Sequence, residues 1–193
     1  MLIDFDHSKP LYIFGDAPPA IELKNWVHNE SKVEINVLSH EQFENVPPGN
    51  QCMIGFQNTD YRKRFLEKIN IDDYSWPTFI HPAAHVEDLT TIGKGCVILN
   101  FVHIGFNANV GDFCYVATGS QLSHDSKIGK NCMLAPGVII GGSTVFDNNI
   151  WIGLNSSFAD KLTICSDTTF NMTSVVHKSV TEPGKYYGNR KIN

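Results

Sequence analysis

The chain has 193 residues, of which 42% are hydrophobic and 18% charged, so it can bury a core and does not have the composition of a disordered chain. Its formal net charge of −5 comes without a basic block that could neutralise phosphates, which argues against a nucleic-acid polymer as partner. No apolar run approaches the roughly 18 residues of a membrane helix, so membrane insertion is not expected. The five cysteines form no C-x-x-C pair, which favours reduced thiols in a cytoplasmic protein.

The first 80 residues alternate short apolar runs with helix-like segments. One helix is expected after Pro18-Pro19 and a second after Asn58, a residue type that caps helix starts. Four strands are expected around them, at Leu11–Gly15, Val33–Leu38, Cys52–Phe56 and Thr78–Ile80. This order predicts a small Rossmann-like α/β unit, with its ligand crevice at the carboxyl ends of the strands.

After residue 80 the sequence repeats every six residues. Steps of six from Val86 to Val176 meet an apolar residue at all sixteen positions. Fourteen of the sixteen residues that lie two places earlier are Ala, Ser, Thr, Cys or Val. A large apolar residue with a small one two places before it is the hexapeptide signature of a parallel β-helix. Three hexads make one triangular coil, so stacked residues are eighteen apart and about five coils are expected.

Three of the five cysteines follow this spacing. Cys96, Cys114 and Cys132 are eighteen apart and occupy the small inward position. The repeat therefore predicts one ladder of packed thiols in the core, in preference to a metal or redox site.

A histidine followed by an acid stands at one corner of the repeat. His124 comes two residues after the inward Leu122, so its side chain is expected to point out of the coil, with Asp125 beside it. In a cyclic trimer such a side chain can line a cleft between subunits. An imidazole that titrates near neutral pH suits a general base, although the same pattern also fits a solvated loop residue.

An N-terminal α/β unit followed by hexapeptide repeats resembles a family of bacterial acyltransferases. It includes the N-acetyltransferases of nucleotide-linked 4-amino-4,6-dideoxy sugars, as in bacillosamine biosynthesis, and the sialic acid O-acetyltransferases. The segments that carry the likeness are Tyr12-Ile13-Phe14-Gly15, Met53-Ile54-Gly55 with Asn58 and Arg62, Phe79-Ile80-His81-Pro82, Ser123-His124-Asp125, Ile128-Gly129 and Leu134-Ala135-Pro136-Gly137. The resemblance implies a left-handed β-helix, because this family departs from the right-handed rule for parallel crossovers.

The resemblance also implies roles for individual residues. His124 is expected to be the catalytic base, Asp125 its partner, and the amide of Gly142, eighteen residues further on, a contact for the thioester. The family's enzymes are homotrimers that bind acetyl-CoA between adjacent β-helices and the nucleotide sugar mainly on the N-terminal unit. The donor positions carried over are Gly142, Gly153, Leu154, Asn155 and Met172. The acceptor positions carried over are Gly15, Asp16, Ser39, Gly55, Asn58 and Arg62.

These expectations describe a cytoplasmic homotrimer that moves an acetyl group from acetyl-CoA to the amino group of a nucleotide-linked deoxyamino sugar, without a metal. Residues 1–80 would bind the acceptor, residues 81–180 would form the acyltransferase β-helix, and residues 181–193 the C-terminal tail. The first loop carries Asp16 and two prolines where the family's loop is glycine-rich, so either the nucleotide sits differently or the acceptor is unusual. The tail is basic and aromatic, which suits the adenine or 3′-phosphate of coenzyme A as well as a frayed terminus.

Three alternatives remain. His124 could also act as the base for O-acetylation of a sugar hydroxyl. Alternatively, the β-helix could be noncatalytic and function only in protein assembly. His85 and His103 are also eighteen apart on one outer face, and with a third histidine they would suit a zinc hydrolase of the γ-carbonic anhydrase type. No histidine pair separated by four residues follows His103, which disfavours that zinc site.

Overall fold

The computed structural model describes residues 5–15 and 18–192. In the N-terminal part, β1 runs parallel to both neighbours in a sheet of order β2-β1-β3. Two helices and two 3₁₀ turns complete this part. The elements are β1 (Leu11–Phe14), α1 (Pro18–Ser31), β2 (Ile35–Leu38), a 3₁₀-helix (His40–Asn45), β3 (Gln51–Ile54), α2 (Thr59–Lys68) and a second 3₁₀-helix (Ile71–Asp73).

The sequence explains these elements locally. Helix α1 begins at the two prolines, whose fixed φ suits a first helical turn, and it buries Leu23 and Val27 toward the sheet. Helix α2 begins after Asn58, whose Oδ1 accepts a hydrogen bond from the Tyr61 amide at 2.9 Å. The first three predicted strands and both predicted helices are thereby confirmed, with ends shifted by up to two residues.

The rest of the chain is a parallel β-solenoid built from short strands. In chain order these are β4 (Phe79–Ile80), β5 (His85–Val86), β6 (Thr91–Ile92), β7 (Val97–Ile98), β8 (His103–Ile104), β9 (Asn109–Val110), β10 (Tyr115–Val116), β11 (Gln121–Leu122), β12 (Lys127–Ile128), β13 (Met133–Leu134), β14 (Ile139–Ile140), β15 (Val145–Phe146), β16 (Trp151–Ile152), β17 (Ser157–Phe158), β18 (Thr163–Ile164), β19 (Thr168–Phe170), β20 (Val175–Val176), β21 (Gly184–Tyr187) and β22 (Arg190–Ile192).

Every third strand of the solenoid pairs in register, so partners are eighteen residues apart, as in Tyr115 with Met133. Within the described residues this gives three sheets, β4-β7-β10-β13-β16-β19, β5-β8-β11-β14-β17-β20 and β6-β9-β12-β15-β18, the first extended by β21 and β22. The solenoid is left-handed, and it has about six turns where the repeat predicted about five.

The position of Phe79–Ile80 explains much of that difference. The sequence assigned this segment to the N-terminal sheet, and that assignment is wrong. The Phe79 amide donates to the Cys96 carbonyl at 2.8 Å and the His81 amide to the Ile98 carbonyl at 2.9 Å. The segment therefore pairs with β7 and opens the first coil of the solenoid.

The solenoid core is the predicted double row of apolar and small residues. The cysteine ladder lies inside it, because Cys96, Cys114 and Cys132 are all fully buried. Each thiol donates to a backbone carbonyl fifteen residues further along, as Cys114 Sγ does to the Gly129 oxygen at 3.0 Å. These contacts confirm a packing role for the three thiols.

The outward side of the β4-to-β19 sheet, here called the covered face, carries the N-terminal unit. Its side chains Val97, Tyr115 and Met133 are buried in one apolar cluster with Leu11 and Met53 of the N-terminal sheet. Each such side chain contributes roughly 1.5–3 kcal/mol when it leaves water. This contact ties the N-terminal unit to the solenoid.

The described C-terminal residues end in a β-hairpin of β21 and β22. Strand β21 pairs parallel to β19 and antiparallel to β22, and Tyr186 packs on Phe170 with ring centroids 5.7 Å apart. The hairpin thus covers the last coil of the core. No helix among the described residues combines the length and the apolar content that crossing a membrane requires.

Candidate functional site

The candidate site lies at the solenoid edge where the chain turns from β11 into β12, here called the His124 edge. Asp125 adopts a left-handed backbone conformation with φ of 61°, and Asn107, one coil earlier, has φ of 57°. Both are short polar residues, which tolerate this conformation better than bulky ones. The stacked turns therefore place Asn107 and Asp125 directly beside each other.

His124, Asp125 and Asn107 form a chain of hydrogen bonds. His124 Nδ1 donates to Asp125 Oδ2 at 2.8 Å, and Asn107 Nδ2 donates to Asp125 Oδ1 at 2.8 Å. The hydrogen bond from His124, followed by that from Asn107, holds the pKa of the Asp125 carboxyl below its ordinary value. A carboxylate at Nδ1 places the imidazole proton there and leaves the Nε2 lone pair free, as a general base requires.

The His124 ring lies over Gly142 of the next coil. A Cβ added to Gly142 would stand 2.7 Å from His124 Nε2 and 2.8 Å from its Cε1, closer than non-bonded atoms approach. The glycine is therefore needed for the position of the imidazole. The Gly142 amide donates to Asp160 Oδ1 at 2.9 Å, so a thioester oxygen would compete with this carboxylate for the predicted contact.

The dyad is open to solvent on a single chain. The side chains of His124 and Asp125 are 65% and 46% exposed. An exposed imidazole with a fixed tautomer can exchange protons with a bound amine or hydroxyl. A neighbouring molecule or copy would have to exclude water there, because the chain alone does not.

The other predicted donor residues lie on a different edge. Gly153, Leu154, Asn155 and Met172 occupy turns that connect the β16 and β19 strands to β17 and β20. Leu154 and Met172 are 43% and 59% exposed, and they stack because the Thr173 amide donates to the Leu154 carbonyl at 2.7 Å. One chain therefore brings His124, Asp125 and Gly142 together and separates them from this second edge, here called the Leu154 edge.

The predicted acceptor residues at the ends of the N-terminal strands are adjacent. The Gly15 amide donates to the Leu38 carbonyl, and the Gly55 amide to the Phe14 carbonyl, both at 2.8 Å. Ser39 follows β2 and donates through its amide to Gln42 Oε1 at 2.9 Å, at the start of a 3₁₀-helix. Asn58 is the cap of α2. Asp16 lies outside the described residues.

Arg62 does not face this crevice as the sequence suggested. Its side chain is 1% exposed, and Nη2 donates to the carbonyl of Phe113 in the solenoid. The reason is that α2 leans on the solenoid, so the side chain is enclosed between the two parts. Burial lowers the pKa of this guanidinium. Arg62 therefore acts as an internal anchor, and the expectation of a direct acceptor contact is corrected.

Two contacts near the predicted site residues were missed in the sequence. Asn107 lies eighteen residues before Asp125, so the stacking rule would have found it. His40 and Tyr61 form a hydrogen bond beside the strand ends, with ring centroids 4.6 Å apart. No simple spacing joins those two, because they come from a 3₁₀ turn and a helix.

The predicted stacking of His85 and His103 is confirmed. Their rings are nearly parallel, at 7° with centroids 5.5 Å apart. The third group beside them is a carboxylate, Glu87, where a zinc hydrolase would need a further histidine.

Comparisons with known proteins agree with this architecture. Residues 107–142 match the bacterial transferase hexapeptide (six repeats) family. The chain is 32% identical over 110 residues, or 53% of its length, to the bifunctional protein GlmU of Thermodesulfovibrio yellowstonii. The matched stretch spans only 24% of that relative.

Several solved structures match almost the whole chain, among them the following two. The acetyltransferase domain of PglB from Neisseria gonorrhoeae has a TM-score of 0.85 at 20% identity, covering 95% of this chain and 98% of that one. PerB from Caulobacter crescentus, solved with CoA and GDP-perosamine, has a TM-score of 0.81 at 18% identity, covering 91% and 92%. The chain thus carries the hexapeptide repeat of bacterial transferases in the fold of the PglB acetyltransferase domain, which confirms the resemblance predicted from the sequence.

Proposed function

We propose that the protein is an acyltransferase that moves an acetyl group from acetyl-CoA to the amino group of a nucleotide-linked deoxyamino sugar, with His124 as general base. The observation that carries the proposal is the chain Asn107–Asp125–His124, whose free Nε2 lies over Gly142 on an open solenoid edge. The fold shared with PerB, which was solved with CoA and GDP-perosamine, supports the choice of substrates.

The tautomer of His124, with its proton on Nδ1, determines how the acyl transfer would proceed. As the acceptor nitrogen attacks the thioester carbonyl carbon, a C–N bond forms and Nε2 of His124 takes the proton that the nitrogen loses. Collapse of the tetrahedral intermediate breaks the C–S bond, and the imidazolium returns its proton to the leaving thiolate. Asp125 stabilises the transient imidazolium, since its carboxylate accepts the Nδ1 hydrogen.

The donor would bind between copies of the chain. The His124 edge and the Leu154 edge flank the outward side of the β5-to-β20 sheet, here called the open face. Two of its side chains, Ile139 and Val175, are apolar and 47% and 66% exposed. Exposed apolar groups of this size suit assembly. A heterologous contact in a cyclic trimer would bring the Leu154 edge of one copy to the His124 edge of the next.

The acceptor would bind at the carboxyl ends of β1, β2 and β3. Parallel α/β units bind ligands at this edge, and Gly15, Ser39 and Gly55 are neighbours there. The unit that precedes Phe79 would therefore form an acceptor domain of a Rossmann-like type, and the solenoid that begins at Phe79 would be the catalytic part. The reaction needs no metal, because an imidazole and a thioester suffice for the group transfer.

The test is a thiol-release assay with acetyl-CoA and a panel of nucleotide-linked sugars. Each 4-amino sugar is paired with its 4-hydroxy counterpart. Wild type is expected to release CoA with an amino sugar, and His124→Ala to release it at least about a hundredfold more slowly. Release of CoA with the hydroxy sugar, and not with the amino sugar, would assign O-acetylation to the protein in place of N-acetylation. Equal rates for wild type and His124→Ala would remove His124 from the chemistry.

A further inference from the structure

A second cluster of chemically active side chains lies at the beginning of the open face, outside the His124 edge. His85 in β5 and His103 in β8 are paired in register, and Glu87 follows β5 directly. Glu87 Oε1 lies 3.1 Å from His85 Nε2 and 3.5 Å from His103 Nε2. One ligand atom from each residue falls within 4.8 Å of the others.

The solenoid itself fixes this arrangement. Successive coils stack at the interstrand spacing of about 4.8 Å, and outward side chains of paired strands point the same way. The two imidazoles are therefore held nearly parallel, at 7°, and present Nε2 to the same carboxylate oxygen. Hydrogen bonds first from His85 and then from His103 also hold the pKa of the Glu87 carboxyl below its ordinary value.

We propose that His85, Glu87 and His103 form a binding site for one divalent transition-metal ion such as Zn²⁺. Two imidazoles and a carboxylate suit Zn²⁺ and Co²⁺ better than the oxygen-seeking Mg²⁺ and Ca²⁺. Metal–ligand bonds of about 2.0–2.1 Å in a tetrahedron separate the ligand atoms by about 3.4 Å. The two nitrogen–oxygen separations of 3.1 and 3.5 Å bracket that value, and the third pair of ligand atoms lies within 4.8 Å.

Solvent would complete the coordination of the ion, and the ion would link the first coils of the solenoid. On a single chain the side chains are 69% exposed for His85 and 42% for both Glu87 and His103, so a remaining coordination position is open to water or to a neighbouring copy. Val86, in the first strand of this sheet, is 37% exposed although it points inward, because no earlier coil covers it. A metal that joins β5 to β8 therefore stabilises the least covered end of this sheet.

The test titrates chelator-treated full-length protein with ZnCl₂ by calorimetry and with CoCl₂ by visible absorption. Wild type is expected to bind one ion per chain with a Kd on the order of 1 μM. Free Zn²⁺ at a hundredfold excess over Kd is expected to raise Tm by about 5–10 °C. Glu87→Gln is expected to weaken binding at least about tenfold and His103→Gln to abolish it. These positions are exposed, so circular dichroism is expected to show an unchanged fold.

Two matched histidine variants serve as controls. His81→Gln removes a histidine outside the cluster, and His124→Gln removes the other histidine–carboxylate pair; both are expected to keep wild-type Zn²⁺ binding. The proposal is overturned if wild type binds no stoichiometric ion, or if His103→Gln binds as tightly as wild type. Acetyl-CoA binding by His103→Gln is measured alongside, so failure of the metal site and failure of the proposed function are separate results.

Discussion

Replacing Gly142 by alanine tests whether the position of His124 matters for catalysis. The new Cβ would stand 2.7 Å from Nε2, which is 0.7 Å short of the 3.4 Å at which ordinary contact begins. The ring must therefore move, and its 2.8 Å hydrogen bond to Asp125 must lengthen or break. A displacement approaching 1 Å costs a catalytic group up to about a hundredfold in rate, so kcat is expected to fall by about 30–100-fold.

The stability of the variant is expected to change little. The imidazole is 65% exposed and can rotate into solvent, and the backbone of Gly142 lies outside the left-handed region. Gly142 itself is buried, but the atoms nearest to the added Cβ all belong to the exposed imidazole, so Tm is expected to stay within about 2 °C of wild type. Circular dichroism and the thiol-release assay measure the two quantities on the same preparation.

A double-mutant cycle shows whether the effect passes through the imidazole. With His124 already removed, Gly142→Ala has nothing left to displace, so the double variant is expected to be no slower than His124→Ala alone. The reasoning would be refuted if Gly142→Ala kept kcat within about threefold of wild type. Additive losses in the double variant would also refute it, since they would give Gly142 a role independent of His124.

Three further predictions follow from buried or hydrogen-bonded groups. Asn107→Ala removes one donor to Asp125, so the carboxyl pKa is expected to rise toward its ordinary value in a ¹³C NMR titration; an unchanged value would contradict the contact. Folded protein is expected to expose one thiol to Ellman's reagent, Cys165, because the other four cysteines are buried and burial raises the pKa of Cys52 to about 12. Arg62→Ala is expected to lower the free energy of unfolding, measured by urea titration, by about 2–4 kcal/mol. The KM for the acceptor is expected to stay the same. A raised KM at unchanged stability would instead support a role for Arg62 in acceptor binding.

The solenoid was predictable because its period alone specifies which residues meet. Steps of six identify the inward row, and steps of eighteen identify stacked neighbours, so the cysteine ladder and the approach of Gly142 to His124 follow from counting. The predicted number of coils was too low because Phe79–Ile80 precedes the regular six-residue pattern. Its sequence fits a strand of the N-terminal unit equally well. Only its pairing with Val97–Ile98 assigns it to the solenoid.

Contacts that involve a helix or a turn could not be predicted by counting along the six-residue repeat. Arg62 looks like an exposed helix residue in sequence, and its burial depends on how α2 leans on Phe113. Glu87 was missed for another reason. Glu87 directly follows the outward His85 and the inward Val86, in a turn where the repeat does not determine the direction of a side chain. Its position beside both imidazoles is therefore known only from the structure.

The most direct test of the central proposal is calorimetric titration of wild type and His124→Ala with acetyl-CoA. The donor site is expected to include the Leu154 edge and Gly142, while His124 acts on the transferred proton. Both proteins are therefore expected to bind acetyl-CoA with Kd in the micromolar range, about −8 kcal/mol, although only wild type turns over. If neither protein binds acetyl-CoA, the acyltransferase proposal is contradicted at its first step.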